Sequence, residues 1–161
     1  MKAPIGDPMV QGFADRLESV YAAAEGSAGF FARSVRNYQT WEHSWGPLIA
    51  PRCTPAGVGL SELAMTLSVW HDLESVAAFA YRGLHGEALS MRADWFRRGP
   101  WPGHVAWWIE GDHRPNWGEA VMRLDQLHER GPAPDAFTFR KAFNFSGSQI
   151  RMSSGPVTPA R

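Results

Sequence analysis

Residues 63–71 alternate between apolar and small or polar side chains, and this alternation constrains the fold more than any other segment does. In an extended chain, the alternate positions from Leu63 to Val69 would share one face, while Trp70 would point to the other. Asp72 follows directly as a helix cap, and apolar spacings of three and four predict one long helix that continues to about Arg97. A strand that leads straight into a helix indicates a sheet covered by helices.

The remaining segments repeat the two patterns, alternation for strands and spacings of three and four for helices. They complete a single α+β domain. They are, in chain order, a helix over 7–24, strands over 30–37 and 104–110, a helix over 116–130 and a phenylalanine-rich strand over 137–145. This order predicts one antiparallel sheet with helices on one face. Because Ser, Gly and Pro replace the apolar pattern after residue 145, we assign the domain to residues 1–145 and predict a flexible tail over 146–161.

Residues 38–60 fit neither period. The segment is rich in aromatic residues, proline and glycine, and it contains Trp41 and Trp45. Because a loop of this length within a compact domain is uncommon and often functional, we expect it to shape a binding site. The alternative is an irregular hairpin tip without a role in binding.

Charge and cysteine content exclude several classes of protein. The 161 residues carry 16 basic and 16 acidic side chains, so the chain lacks the positive field typical of a nucleic-acid binder. The one cysteine, Cys53, excludes an internal disulfide framework and suits the reducing cytoplasm. The sequence has no apolar run of about 18 residues and no apolar signal segment at its start, so we expect neither a membrane partner nor secretion.

Three stretches of the chain carry a resemblance to a known group of proteins. They are LSVW at 67–70 leading into FAYRGLH at 79–85; WF at 95–96 with WWI at 107–109 and GDHRP at 111–115; and GPAPDAFTFR at 131–140. Together they resemble an uncharacterised family of the dimeric α/β-barrel superfamily, whose members include the antibiotic-biosynthesis monooxygenases. The resemblance implies a ferredoxin-like βαββαβ subunit whose sheet pairs with that of a second copy, giving a homodimeric α/β barrel.

The chain departs from this family pattern in two places. The family's first strand would precede residues 4–8, where only three residues stand. Either the start lies further upstream, or the sheet lacks an edge strand, which would expose the backbone of its neighbour unless another segment covers it. The second departure is the aromatic insert over 38–53, which we expect to reshape the pocket.

The predicted helix over 72–97 places three polar side chains side by side on a mainly apolar face. On a helical wheel, His85 and Arg92 lie beside Tyr81, as the lining of a pocket requires. There His85 would act as general acid or base, Tyr81 as a hydroxyl donor and Arg92 as a clamp for an anion or enolate. The alternative is structural: Tyr81 and Arg92 would be satisfied within the fold, and His85 would bond to the backbone.

His113 is a further catalytic candidate, since a loop histidine after a strand can reach a cleft, although it would equally stabilise the turn. The sequence has no His-x-x-x-His pair, no His-Glu-x-x-His motif and no cysteine cluster, so we predict no metal site. We also predict no cofactor. The alternative is non-covalent haem on His85, which the resemblance implies because some proteins of the superfamily bind haem through a histidine.

The eight tryptophans are the most unusual component of the composition. Trp70 and one of the neighbours Trp107 and Trp108 would project from the sheet face that the helices leave free. Such a face must be buried by a partner or enclose an apolar ligand, so we predict a homodimer formed through the sheet face. The alternative is that the rings fill the core. The predicted substrate-binding residues are Trp41, Trp45, Trp70, Trp95 and Trp108.

These residues predict an aromatic-lined pocket for a small apolar or aromatic substrate. The resemblance implies an enzyme, either a cofactor-independent monooxygenase or an isomerase-like or cyclase-like enzyme, acting on an aromatic or polyketide-like molecule of secondary metabolism. Two alternatives remain open from the sequence: a non-catalytic dimer that binds an apolar metabolite, and a haem-dependent enzyme.

Overall fold

A computed structural model of the chain describes residues 1–37, 39–40 and 42–152. Its helices and short antiparallel strands confirm the α+β class. The chain divides into two compact units: the described residues of the first unit are 1–32, 69–98 and 152, and those of the second unit are 33–37, 39–40, 42–68 and 99–151. No helix within the described ranges is long and apolar enough to cross a membrane.

The first unit is mainly helical, and the second combines one long helix with a small hairpin. The first contains α1 (Gln11–Ala14), α2 (Leu17–Glu25), α3 (Leu73–Tyr81), α4 (Gly83–Ser90) and α5 (Arg92–Trp95). The second contains α6 (Trp117–Arg130), β3 (Ala142–Phe143) and β4 (Gln149–Ile150). The strands β1 (Phe30–Arg33) and β2 (Ser68–Trp70) carry the chain from one unit to the other.

The predicted helix over 7–24 is present but divided. Asp7 caps its start as the sequence indicates, because Oδ1 accepts the Met9 N–H at 2.8 Å and a short 3₁₀ turn follows. Further along, the Arg16 N–H donates to Phe13 O at 3.1 Å, a bond to the third preceding residue. This tightened turn separates α1 from α2.

The prediction of one continuous helix over 72–97 is wrong, because the helix breaks at Arg82 and again at Met91. Arg82 is extended, with φ −127° and ψ 169°. Gly83 has φ +53°, in the left-handed region that favours glycine. The consequence is that α3, α4 and α5 do not share one continuous face.

The strands β1 and β2 pair antiparallel. The His71 N–H donates to Gly29 O at 2.7 Å, and the Ser34 N–H donates to Leu67 O at 2.8 Å. The turn before β1 requires glycine, because Gly29 has φ +77° and any Cβ there would collide with the Ser75 hydroxyl.

The two faces of this strand pair differ in exposure. On one face, the rings of Phe30 and Trp70 pack edge to face with centroids 5.2 Å apart. On the other, Phe31 is 67% exposed and meets the His71 ring at 5.7 Å. A large apolar side chain therefore stands in solvent on the Phe31 face.

A compact aromatic cluster forms the core at the N-terminus of the first unit. Its buried members are Met1, Ala3, Val10 and Trp95, with Phe13, Met91 and Phe96 packed around them. The Phe13 ring lies 6.1 Å from Trp95 and 5.1 Å from Phe96, so this tryptophan is a core residue.

The helix α6 forms where the sequence predicts it. Asn116 Oδ1 accepts the Glu119 N–H at 3.0 Å and so caps the helix, which ends before Gly131. Its buried face carries Trp117, Ala120, Val121 and Leu127. Phe137 is a further fully buried residue of the second unit.

The strands predicted over 104–110 and 137–145 do not form as regular strands. They meet in one antiparallel bridge, Ala106–Phe137, with N–H···O distances of 2.8 and 2.9 Å. The Trp108 indole N–H donates to Phe143 O at 2.8 Å. A side chain therefore bonds to a carbonyl that would otherwise be free for backbone pairing between strands. The described strands make two two-stranded sheets and no closed barrel.

Candidate functional site

An open groove of about 530 Å³ lies within the first unit. The end of α2 and the segment after it, α3 and the first turn of α4 form its walls. The apolar lining comes from Ala23, Ala28, Ala78, Phe79 and Leu84, and the polar lining from Ser27, Glu74, Ser75, Arg82 and His85. The groove therefore combines apolar and polar side chains and is open to solvent.

His85 is the titratable imidazole of this groove, and its hydrogen bond defines its chemistry. Nδ1 lies 2.8 Å from Ala80 O, and because a carbonyl oxygen can only accept, Nδ1 carries the proton. In the neutral ring the lone pair is therefore on Nε2, the form that a general base requires. This bond to the backbone is the structural alternative that the sequence left open for His85. The same bond also fixes the orientation of the imidazole ring.

A column of aromatic rings supports the groove wall. The His85 ring lies 4.9 Å from Phe79, and Phe79 stacks on Trp70 at 5.2 Å with an interplanar angle of 28°. Phe30 closes the column with its edge-to-face contact to Trp70. Phe79 lines the groove, whereas Trp70 is not among the lining residues and lies behind it as a support.

The predicted trio of Tyr81, His85 and Arg92 does not assemble at the groove. Tyr81 is half-buried at the end of α3, Arg92 lies exposed in α5, and neither lines the groove. The Arg92 Nη1 donates to Leu89 O at 2.8 Å, which matches the structural alternative. The helix break at Arg82 is the reason, since it removes the common face on which the wheel placed them.

Arg82 is the groove residue that the sequence interpretation missed. It is exposed, it lines the groove, and its guanidinium makes no hydrogen bond or ion pair with the described part of the chain. The signal was present in the sequence, because Gly83 directly after it is a plausible helix break.

The other predicted substrate-binding tryptophans do not line the groove. Trp95 and Trp45 are buried, each about 7% exposed or less, and the Trp45 carbonyl accepts the Trp117 N–H at 3.2 Å. Trp108 is half-buried and bonded to the backbone. These placements correspond to the core-filling alternative. Trp41 lies outside the described residues.

His113 belongs to the second unit, where it forms an ionic cluster with α6. Its Nε2 lies 2.8 Å from Glu119 Oε2, while Arg123 donates to Glu119 Oε1 through Nε at 3.1 Å and Nη2 at 3.0 Å. The Arg123 guanidinium also lies over the Trp107 ring, 5.4 Å from its centroid. Within this cluster His113 stabilises the turn before the helix, as its structural alternative predicted.

The cluster holds the pKa of Glu119 below its ordinary value. Desolvation alone would raise the pKa, but the hydrogen bonds and positive charge from His113 and Arg123 outweigh it. Glu119→Gln should therefore lower the free energy of unfolding by about 1–2 kcal/mol at pH 7. Because stability from a lowered pKa is lost as pH falls through the folded value, the difference should shrink in acid. Urea unfolding at pH 7 and pH 3 measures it.

Glu129→Gln is the matched control on the same helix. Glu129 pairs with Arg52 at 2.8 Å. Because both side chains are well exposed, this ion pair contributes little to the free energy of unfolding. A Glu119→Gln effect that is equal at both pH values, or no larger than that of the control, would contradict an ionic origin.

Cys53 and Asp125 form a second buried polar contact in this unit. Asp125 is 3% exposed, and its Oδ1 accepts the Cys53 N–H at 3.2 Å. Burial and the neighbouring carboxylate raise the pKa of the Cys53 thiol, which disfavours the reactive thiolate. Within the described ranges, no three His, Cys, Asp or Glu side chains are grouped as a metal ion would require.

Comparison with known proteins gives a family and no further relative. Neither a curated protein nor a solved structure matches the chain significantly. One family model, described as Domain of unknown function (DUF3291), matches residues 1–152. The match covers nearly all of the 161 residues, and the chain therefore belongs to the DUF3291 family.

Proposed function

We propose that the groove of the first unit binds a small, flat aromatic or polyketide-like molecule and that His85 acts on it as a general base. One observation carries this proposal: His85 lines an apolar-walled groove with Nδ1 fixed to Ala80 O, which leaves Nε2 as the basic nitrogen. Phe79 offers an aromatic wall for the ring of the ligand, and its stacking on Trp70 holds that wall in place.

The chemistry that fits one general base and an apolar wall is proton removal from an activated carbon or hydroxyl. The resulting carbanion or phenolate could rearrange, or it could react with molecular oxygen. In the oxidation, a methylene group and O₂ give a ketone and water, so no external reductant is needed. This is cofactor-independent oxidation or rearrangement of the kind associated with the antibiotic-biosynthesis monooxygenases, and we propose that the family is related to that superfamily.

Anthrone is a suitable probe, since it is a flat tricyclic molecule with an acidic methylene next to two aromatic rings. The enzyme should consume one O₂ for each anthrone converted to anthraquinone, which an oxygen electrode and absorbance spectra measure together. Binding of anthrone without conversion would instead support the second candidate, a non-catalytic binder of an apolar metabolite. If anthrone is neither bound nor converted, both the enzyme proposal and the binder proposal are overturned.

Haem-dependent chemistry at the same residue is the other alternative. If haem were bound, His85 would hold it through Nε2, because Nδ1 already donates to Ala80 O. Haem would supply oxygen activation, while the groove residues would still bind and orient the substrate. Titration with haem decides between the two: a Soret band that shifts in His85→Ala supports haem binding, and no shift supports the cofactor-independent reaction.

We further propose ferredoxin-like subunits that pair as a homodimer through the sheet face, in a cytoplasmic protein with one reduced cysteine. Trp70 does not project from the free face as predicted, because it stacks on Phe79 of α3; the exposed side chain is Phe31, on the other face. The support is that Phe31 stands exposed on β1 and that a two-stranded sheet is marginal without a partner. Phe31→Ser should convert a dimer into a monomer in size-exclusion chromatography with light scattering. Phe145→Ser is the control, since Phe145 is also 63% exposed but lies in the second unit. A monomeric wild type would refute this proposal.

A further inference from the structure

The groove has a charged group at each end. Arg82 follows the last residue of α3, and Glu74 lies in the first turn of that helix. Eight residues of helical rise place the two backbone positions about 12 Å apart along the axis. His85 lines the groove from the first turn of α4, three residues beyond Arg82, with its ring 4.9 Å from that of Phe79 in the last turn of α3.

We infer that Arg82 is the anion-binding residue of this groove and that its ligands are flat aromatic molecules bearing a carboxylate or another anionic oxygen. The inference rests on the proposed function, because it names the substrate class for the same groove. A guanidinium presents paired N–H donors that match a carboxylate, and such charge-assisted bonds are stronger than neutral ones. Arg82 has these donors free of any partner among the described residues.

The combination of Phe79 and Arg82 defines the ligand more narrowly than either residue does. Phe79 lines the groove with its ring between those of Trp70 and His85, and it stands three residues before Arg82 on the chain. A ring packed on Phe79 with its anionic group on Arg82 would have its remaining atoms next to His85. Glu74 disfavours the reverse orientation, in which the anion would meet a like charge.

The test compares 2-naphthoate with the uncharged 2-naphthamide, which has nearly the same shape. By isothermal titration calorimetry at low ionic strength, the wild type should bind 2-naphthoate about three- to tenfold more tightly than the amide. Added salt should weaken the binding of 2-naphthoate and leave the binding of 2-naphthamide nearly unchanged. Arg82→Gln should abolish the preference for the anion while the amide still binds.

Two arginine variants serve as controls in the same titrations. Arg98→Gln removes an exposed positive charge of the first unit that is not part of the groove lining, so it should retain the preference. Arg92→Gln tests the residue that the helical wheel favoured, and it should also retain the preference. Glu74→Gln should raise the affinity for 2-naphthoate about twofold, because it removes a like charge.

Each outcome separates this inference from the proposed function. If both probes bind equally to the wild type, the anion assignment is overturned but an aromatic-binding groove stands. If Arg92→Gln or Arg98→Gln lowers the preference as much as Arg82→Gln does, the assignment to Arg82 is overturned. If neither probe binds the wild type, both the inference and the proposed groove are overturned.

Discussion

His85→Ala should lower the turnover of anthrone about 10²–10⁴-fold, the range expected when a general base is lost. We expect this loss because Nδ1 donates its proton to Ala80 O, which leaves Nε2 as the nitrogen that can accept a proton from a ligand in the groove. His85→Gln is the sharper variant, because its amide N–H can still donate to Ala80 O but its side chain cannot accept a proton near neutral pH.

Rescue by added imidazole distinguishes proton transfer from a structural role. Imidazole in the space left by His85→Ala should restore part of the turnover, whereas it cannot restore a misfolded groove. His128→Ala is the control, since His128 is exposed in the last turn of α6 in the second unit. Turnover that persists in a folded His85→Gln variant would remove His85 from the mechanism.

Trp117→Ala should destabilise the second unit by about 3–5 kcal/mol, the usual cost of truncating a large aromatic core residue. Trp117 is 2% exposed, and its indole N–H donates to Ser34 Oγ at 3.1 Å. The His43 ring packs against it at 5.2 Å. The truncation would therefore leave both a cavity and an unpaired hydroxyl. Urea unfolding followed by circular dichroism measures the loss.

Trp117→Phe separates the contribution of the indole hydrogen bond to stability from that of the buried side-chain volume. It keeps most of the ring and loses the indole N–H, so it should cost about 1 kcal/mol from the bond, plus a small packing loss. Ser34→Ala removes the same bond from the other side and should cost a similar amount. A Trp117→Ala variant no less stable than Trp117→Phe would show that the site collapses without a cavity and would contradict the prediction.

Local signals in the sequence were sufficient to predict helix starts. Asp72 acts as the predicted cap, with its Oδ1 2.7 Å from the Ser75 N, and Asp7 and Asn116 cap the helices that the sequence predicts to begin at residues 7 and 116. A cap depends on residues within three positions of one another, so sequence spacing determines it directly. The strand pattern over 63–71 is similarly local, although only Ser68–Trp70 forms a strand.

The pairing of strands could not be predicted in the same way. An alternating pattern shows that a segment suits an extended conformation, but its partner is chosen by contacts distant in the sequence. Residues 104–110 make one bridge to Phe137 because Trp108 and Trp107 are held by contacts of their own, to Phe143 O and to Arg123. These side-chain contacts compete with a regular ladder.

The candidate site was predicted in part. Of the three residues that the helical wheel groups, His85 lines the groove and Tyr81 and Arg92 do not, and the catalytic role of His85 stays a prediction. The wheel grouped Arg92 with Tyr81 and His85 because it assumed an unbroken helix, whereas the breaks at Arg82 and Met91 change which side chains share a face. Trp45, Trp70, Trp95 and Trp108 do not line the groove, because ring size alone does not distinguish a lining residue from a core residue.

The break between α3 and α4 also determines how the groove can vary. Phe79 and Glu74 belong to one helix and His85 to the next, so the angle at Arg82–Gly83 sets how α3 and the first turn of α4 enclose the groove. A change of a few degrees at this joint would widen or narrow the groove without altering any lining side chain. Substrate size could therefore diverge between related chains through the residue at position 83, while the chemistry at His85 stays the same.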